Sequence, residues 1–126
     1  MQRYSIPRTG QAPLVFSGAR LAFAATYDPS PPEMQHREFD VAVYRTEAGA
    51  IVIQVRYLTT WSDERCHDHA TIVLAQAHVE AELQRYDPLA HLIDLPSALL
   101  VDELSTAYRR LVSAVVAQLD VSHEMS

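Results

Sequence analysis

The residues best suited to chemistry crowd into one short stretch, Glu64-Arg65-Cys66-His67-Asp68-His69. It holds the single cysteine of the chain, two of its six histidines and two carboxylates, with Asp63 just before it and Trp61 close by. Two chemistries come to mind. Cys66 beside His67 has the residue types of a thiol nucleophile and its base, but in a strand adjacent side chains point to opposite faces, so the two cannot form a dyad there. His78, His91 or His36 would have to supply the base, and no glycine-rich elbow or cysteine-enzyme signature surrounds the thiol. A half-buried free thiol is the expected state.

The second chemistry is metal binding. His67 and His69 share one face of an extended segment and lie close enough to chelate, with Glu64 or His78 available as a third ligand. No second ligand pair stands at zinc spacing and there is no His-Glu-x-x-His helix. The reading adopted is a solvated, polar strand end leading into the apolar run Ala70–Ala75, with no metal and no cofactor. Glu80 and Glu82 are not a catalytic carboxylate pair, because residues two apart on a helix diverge by about 200°. With three glycines in the chain, no glycine-rich phosphate loop exists.

The elements that would position these residues follow from periodicity. Residues 1–13, with Pro7, Gly10 and Pro13, read as an irregular arm. Leu14 to Tyr27 reads as one strand kinked at Ser17-Gly18, or as two short ones. Residues 27–37 carry three prolines and read as a loop. Two runs rich in β-branched and aromatic residues then flank Glu47-Ala48-Gly49, which predicts a hairpin. A three-residue loop with Gly49 in the left-handed region sets Val43 opposite Ile53, Val41 opposite Val55 and Phe39 opposite Tyr57, with Ile51 beside Arg45 on the same face. It also pairs Asp40 with Arg56 on the other face. That face is expected to meet water, so a charge at Gln54 should be tolerated there and one at Val43 should not.

A further strand is predicted from about Cys66 to Leu74. Val79, Leu83 and Tyr86 then follow a helical period that Asp87-Pro88 ends. Ser97, after Pro96, is a candidate N-cap for a helix of about six turns carrying Leu100, Leu104, Tyr108, Leu111, Val115 and Leu119, its stripe widened by Val101, Val112 and Val116. The expected fold is a single α+β domain over residues 1–126, an antiparallel meander of three to four strands over 14–75 followed by two helices over 76–126 packed on one face. The breadth of the last apolar stripe suggests a homodimer through the C-terminal helix.

Length and charge narrow the function. A chain of 126 residues is one domain long and buries a core without staples. A single cysteine suits a reducing, cytoplasmic setting. No run reaches the roughly 18 apolar residues of a membrane span, and the broken N-terminal region does not form a signal peptide. Every basic residue is arginine, and the net charge is −6. Residues 1–37 carry a net +2 and residues 38–126 a net −8. Nucleic-acid grip calls for the opposite sign. The expected partner is therefore a protein with a basic surface, met by exposed carboxylates such as Glu80, Glu82, Asp102 and Glu103.

Tyr44-Arg45-Thr46-x-x-Gly49 followed by Trp61-x-x-Glu64 resembles a group of small accessory proteins of plasmids and prophages in GC-rich bacteria, over roughly residues 14–90. The resemblance implies a mobile-element accessory protein and assigns no residue a role. Together with the charge it points to a non-enzymatic binding protein, in its most specific form an inhibitor of a host defence complex, anti-CRISPR-like. The alternative is a small-molecule- or metal-binding enzyme using Trp61, Glu64, His67 and His69.

Overall fold

The computed structural model describes residues 2–26, 36–61, 64–92 and 97–125, with side chains through 120. Most of the predicted 27–37 loop, Asp63 and Pro96 lie outside them. Five strands, β1 (Gln2–Arg8), β2 (Gln11–Ala25), β3 (Arg37–Thr46), β4 (Ile51–Thr59) and β5 (His67–Val73), form one antiparallel meander in sequence order. A 3-10 turn (Gln76–His78) and two helices, α1 (Val79–Arg85) and α2 (Ala98–Met125), complete this α+β fold. Among the described residues no helix is long and apolar enough to cross a membrane.

The β3–β4 hairpin has the expected register at every pair named, from Phe39 opposite Tyr57 to Arg45 opposite Ile51. Gly49 sits at φ 93°, and the Thr46 and Ala50 backbones close a three-residue loop. Phe39, Val41, Val43, Ile53, Val55 and Tyr57 form the front face of the sheet. Both helices cover it, through Val79 and Leu83 of α1 and Leu104, Tyr108, Leu111, Val115 and Leu119 of α2. Each fully buried aliphatic side chain contributes about 1.5–3 kcal/mol. Helix α2 is 28 residues long, two turns beyond the expected length, and the Ser97 hydroxyl caps it by accepting from the Leu100 N–H at 3.1 Å. Most of the α2 stripe packs on this chain's own sheet and α1, with Val101 and Val116 half-buried.

The N-terminal arm is a correction. Residues 2–8 are a strand, and β2 starts at Gln11, so the sheet has five strands and begins well before residue 14. Pro7 is tolerated because the β1–β2 ladder shifts between Ile6 and Arg8. Gly10, at φ 78°, makes the turn. The β1–β2 hairpin folds over the back of the sheet, where Tyr4, Ile6, Leu14 and Phe16 pack on Ala42, Tyr44, Val52 and Ala70. Its turn is tied to β5: the Thr9 N–H donates to the Asp68 carbonyl and the Asp68 N–H to the Thr9 hydroxyl, each at 2.8 Å. The back face is thus a second core, and Gln54 is 7% exposed rather than open to water. The expectation that this face meets water is overturned.

Strand β2 is one strand, with its ladder irregularity between Arg20 and Ala22 rather than at Ser17-Gly18. Gly18 has another task. It is the residue at which β2 passes from pairing with β1 to pairing with β3. A Cβ at Gly18 would lie 2.1 Å from the Arg45 carbonyl oxygen. Backbone atoms cannot swing aside as a side chain can, so Gly18→Ala is expected to cost about 3 kcal/mol, the upper range of overpacking. The midpoint of chemical denaturation checks this, and an unchanged midpoint would refute the close approach. Beyond Gly18 the free edge of β2 is covered at Phe23, where the Gln118 amide of α2 accepts from the Phe23 N–H at 2.9 Å and donates to its carbonyl at 2.8 Å.

Candidate functional site

The start of β3, the end of β4 and the segment before β5 bring Arg37, Tyr57, Thr59, Trp61 and Glu64 together. Register explains it: Arg37 pairs with Thr59, two places beyond Phe39 and Tyr57. Arg37 donates to the Glu64 carboxylate from Nε at 2.9 Å and from Nη2 at 2.5 Å. Glu64 also accepts from the Tyr57 hydroxyl at 2.5 Å and the Thr59 hydroxyl at 3.1 Å. The Arg37 guanidinium lies 4.2 Å from the centre of the Trp61 ring. The hydrogen bonds from Arg37, and then from Tyr57, hold Glu64 below the usual carboxylate range against the opposing effect of burial. The Tyr57 phenol is pushed up, first by burial and then by Glu64. This carboxylate has its acceptor sites filled and is poorly placed to take a proton from a substrate.

The two histidines of β5 do face one side, as expected, but each is engaged elsewhere. His67 stacks on His91 of the α1–α2 connector, ring centres 4.5 Å apart. His69 stacks on Tyr86 at 4.2 Å. His91 also leans on Tyr57 at 4.8 Å. Among the described residues no group of three His, Cys, Asp or Glu is arranged to hold a metal ion. The strand end is polar and half-buried: His67, Asp68 and His69 are partly covered, and Arg65 and Cys66 just before them are exposed. Cys66 corrects the expectation of a half-buried thiol: it is exposed, and its sulfur meets the Thr59 carbonyl at 3.7 Å rather than a histidine.

Burial, and then the charge on His67, lower the pKa of both His69 and His91. Glu82 opposes this at His69, and Glu64 and Asp87 oppose it at His91. A histidine with a depressed folded pKa supports stability above its unfolded value of about 6.5, and that support is lost as pH falls through it. The melting temperature is therefore expected to fall between about pH 7.5 and 5.5. The double variant His69→Gln, His91→Gln should flatten this slope. An equal slope in the variant would remove these histidines from the account.

The proposed partner-binding carboxylates do not form one patch. Glu80 lies on the rim of a groove of about 730 Å³ between α1 and α2. Glu82 is half-buried and pairs with Arg85 at 2.7 Å. Asp102 and Glu103 are exposed, the first on the α2 stripe that continues through Ser105, Arg109 and Asp120, the second about 100° around the helix. The groove has a floor of Tyr86, Tyr108, Val112 and Val116 and a rim of Glu80, Asp87 and Asp120. Arg85 and Arg109 also line it. Arg85 is neutralised by Glu82, which leaves the rim acidic. The Tyr108 hydroxyl donates to the Leu83 carbonyl at 2.7 Å and locks the two helices at the groove floor.

Sequence reasoning missed Arg37 and Asp120, named His91 only as a base for Cys66, and read Tyr86 and Asp87 only as a helix face and its stop. Extending the derived hairpin register by one more pair on the same face puts Arg37 beside Thr59, so that signal was present. Nothing local placed His91 against His67 and Tyr57, since a residue in a connector has no period. No protein family, curated protein or solved structure matches this chain.

Proposed function

We propose that the chain is a non-enzymatic protein-binding domain whose interhelical groove takes a basic segment of a partner protein. The observation that carries this reading is the groove itself, an apolar and aromatic floor of tyrosines and valines inside a carboxylate rim. Such a surface suits an amphipathic segment that lays aliphatic side chains on the floor and arginine or lysine on the rim. The net charge of −8 over residues 38–126 adds long-range attraction of the same sign. The enzyme alternative is disfavoured because Glu64, its best general base, is committed to Arg37, Tyr57 and Thr59. The sequence resemblance supplies the finer reading, an accessory protein of a mobile element that occupies a basic groove of a host defence complex.

A displayed library of lysine- and arginine-bearing amphipathic peptides tests the groove. Wild type should enrich binders whose association slows as salt rises, because exposed charges are screened over about 8 Å at physiological ionic strength. The double variant Glu80→Lys, Asp120→Lys should lose them, whereas Arg3→Ala, Arg8→Ala should not. Salt-independent association, or direct binding of DNA or RNA at physiological salt, would refute the proposal.

A further inference from the structure

The back face also holds a pocket of about 340 Å³. It lies between the β1 end of the folded-over hairpin and β2, β3 and β4. Its volume falls at the small end of the range of ligand sites. Three polar side chains that line it are more than nine-tenths buried: Asp40 at 4%, Tyr44 at 6% and Gln54 at 7% exposure. Buried polar atoms need partners. The Asp40 carboxylate takes Nε and Nη2 of Arg56, at 2.8 and 2.5 Å. The Tyr44 hydroxyl donates to Gln54 Oε1 at 3.0 Å. The Gln54 amide nitrogen is left over from this pairing and is not sealed from solvent.

Two cations stand over this floor. Arg56 still has Nη1 beyond its pairing with Asp40. Arg20 makes no ion pair among the described residues and lies 5.0 Å from the centre of the Phe23 ring. Burial raises the Tyr44 pKa; the charges of Arg20 and Arg56 oppose this, and Tyr4 and Asp40 add to it. Asp40 pairs with Arg56, and Asp68 across the strand also acts on that guanidinium, so Arg20 is the one cation of the lining without a carboxylate partner among the described residues. Its apolar lining comes from Tyr4, Ile6, Pro7, Phe23 and Ala42.

We propose that this pocket binds a small organic anion with a flat apolar body, its carboxylate held by Arg20, the free nitrogen of Arg56 and the Gln54 amide. The ring slides between Phe23 and Tyr4. The charge of Arg20 supplies the attraction and the Gln54 N–H the direction. A neutral molecule of the same shape gains the walls and loses the charge-assisted bond.

The probes are benzoate, indole-3-acetate and the neutral benzamide, titrated into the full chain and followed by amide chemical shifts in NMR. Saturable shifts are expected at the Gln54 side-chain amide and at the Phe23 and Ala42 backbone, with a Kd on the order of 1 mM or tighter for at least one acid. Benzamide should bind about tenfold more weakly than benzoate, the equivalent of one charge-assisted hydrogen bond. Arg20→Ala should weaken the acids by the same factor at an unchanged melting temperature, since Arg20 is exposed. The absence of saturable shifts at these three positions, equal affinity for benzamide and benzoate, or full affinity in Arg20→Ala would each overturn the proposal.

Discussion

Val43→Asp is expected to leave no cooperatively folded protein. Val43 is fully buried, pairs with Ile53, and lies in the cluster that joins the sheet to both helices. A carboxylate there loses the valine's burial and has no partner, so it must either ionise in an apolar site or take up a proton at a raised pKa. The cost is at least about 4–5 kcal/mol, against a total stability of about 5–15 kcal/mol for a domain of this kind. Glu47→Lys, in the exposed turn of the same hairpin, should stay within about 0.5 kcal/mol of wild type. Gln54→Asp falls between, at about 1–3 kcal/mol, because it removes the Gln54 amide from a buried site and adds a charge beside Asp40. A Val43→Asp protein that melts within a few degrees of wild type would show that this face of the hairpin is not the core.

The contrast between Val43 and Gln54 also shows where the sequence was legible. The hairpin could be read to the residue because its period is local: one glycine turn and one apolar alternation fix every pair. The helices were legible for the same reason. The β1–β2 hairpin was not, because Pro7, Gly10 and Pro13 mimic an irregular arm, and the alternation of Tyr4 with Ile6 and Leu14 with Phe16 is short. What closes that hairpin over the back face is non-local, a contact between Thr9 and Asp68 almost sixty residues away. Missing it made Gln54 look exposed and hid the pocket beside it. The same limit applies to the front. The residue types at Trp61, Glu64, His67 and His69 could be singled out, but their engagement by Arg37, Tyr86 and His91 depends on tertiary packing.

Glu64→Gln is expected to cost about 2–4 kcal/mol, a little below the usual loss for breaking a buried ion pair because both side chains keep 12% exposure. The change keeps the shape and leaves the Arg37 charge facing Tyr57, Thr59 and Trp61 without its counter-ion. Adding Arg37→Leu should recover part of the loss, since replacing both partners removes the unpaired charge. The pH dependence has a definite sign. The folded pKa of Glu64 is depressed by Arg37, so its contribution is fully present above the unfolded value of about 4.3 and is lost as pH falls through the lower, folded one. Wild type should therefore show an acid limb that Glu64→Gln lacks. Trp61, the single tryptophan, reports the same event: freeing Arg37 from its carboxylate should loosen the stacked guanidinium and shift the indole emission. A catalytic carboxylate behaves in the opposite way, because a group held ready for substrate is strained and its removal leaves stability unchanged or improved. Full stability in Glu64→Gln, with an identical acid limb, would therefore return Glu64 to the enzyme alternative and count against the binding-protein reading.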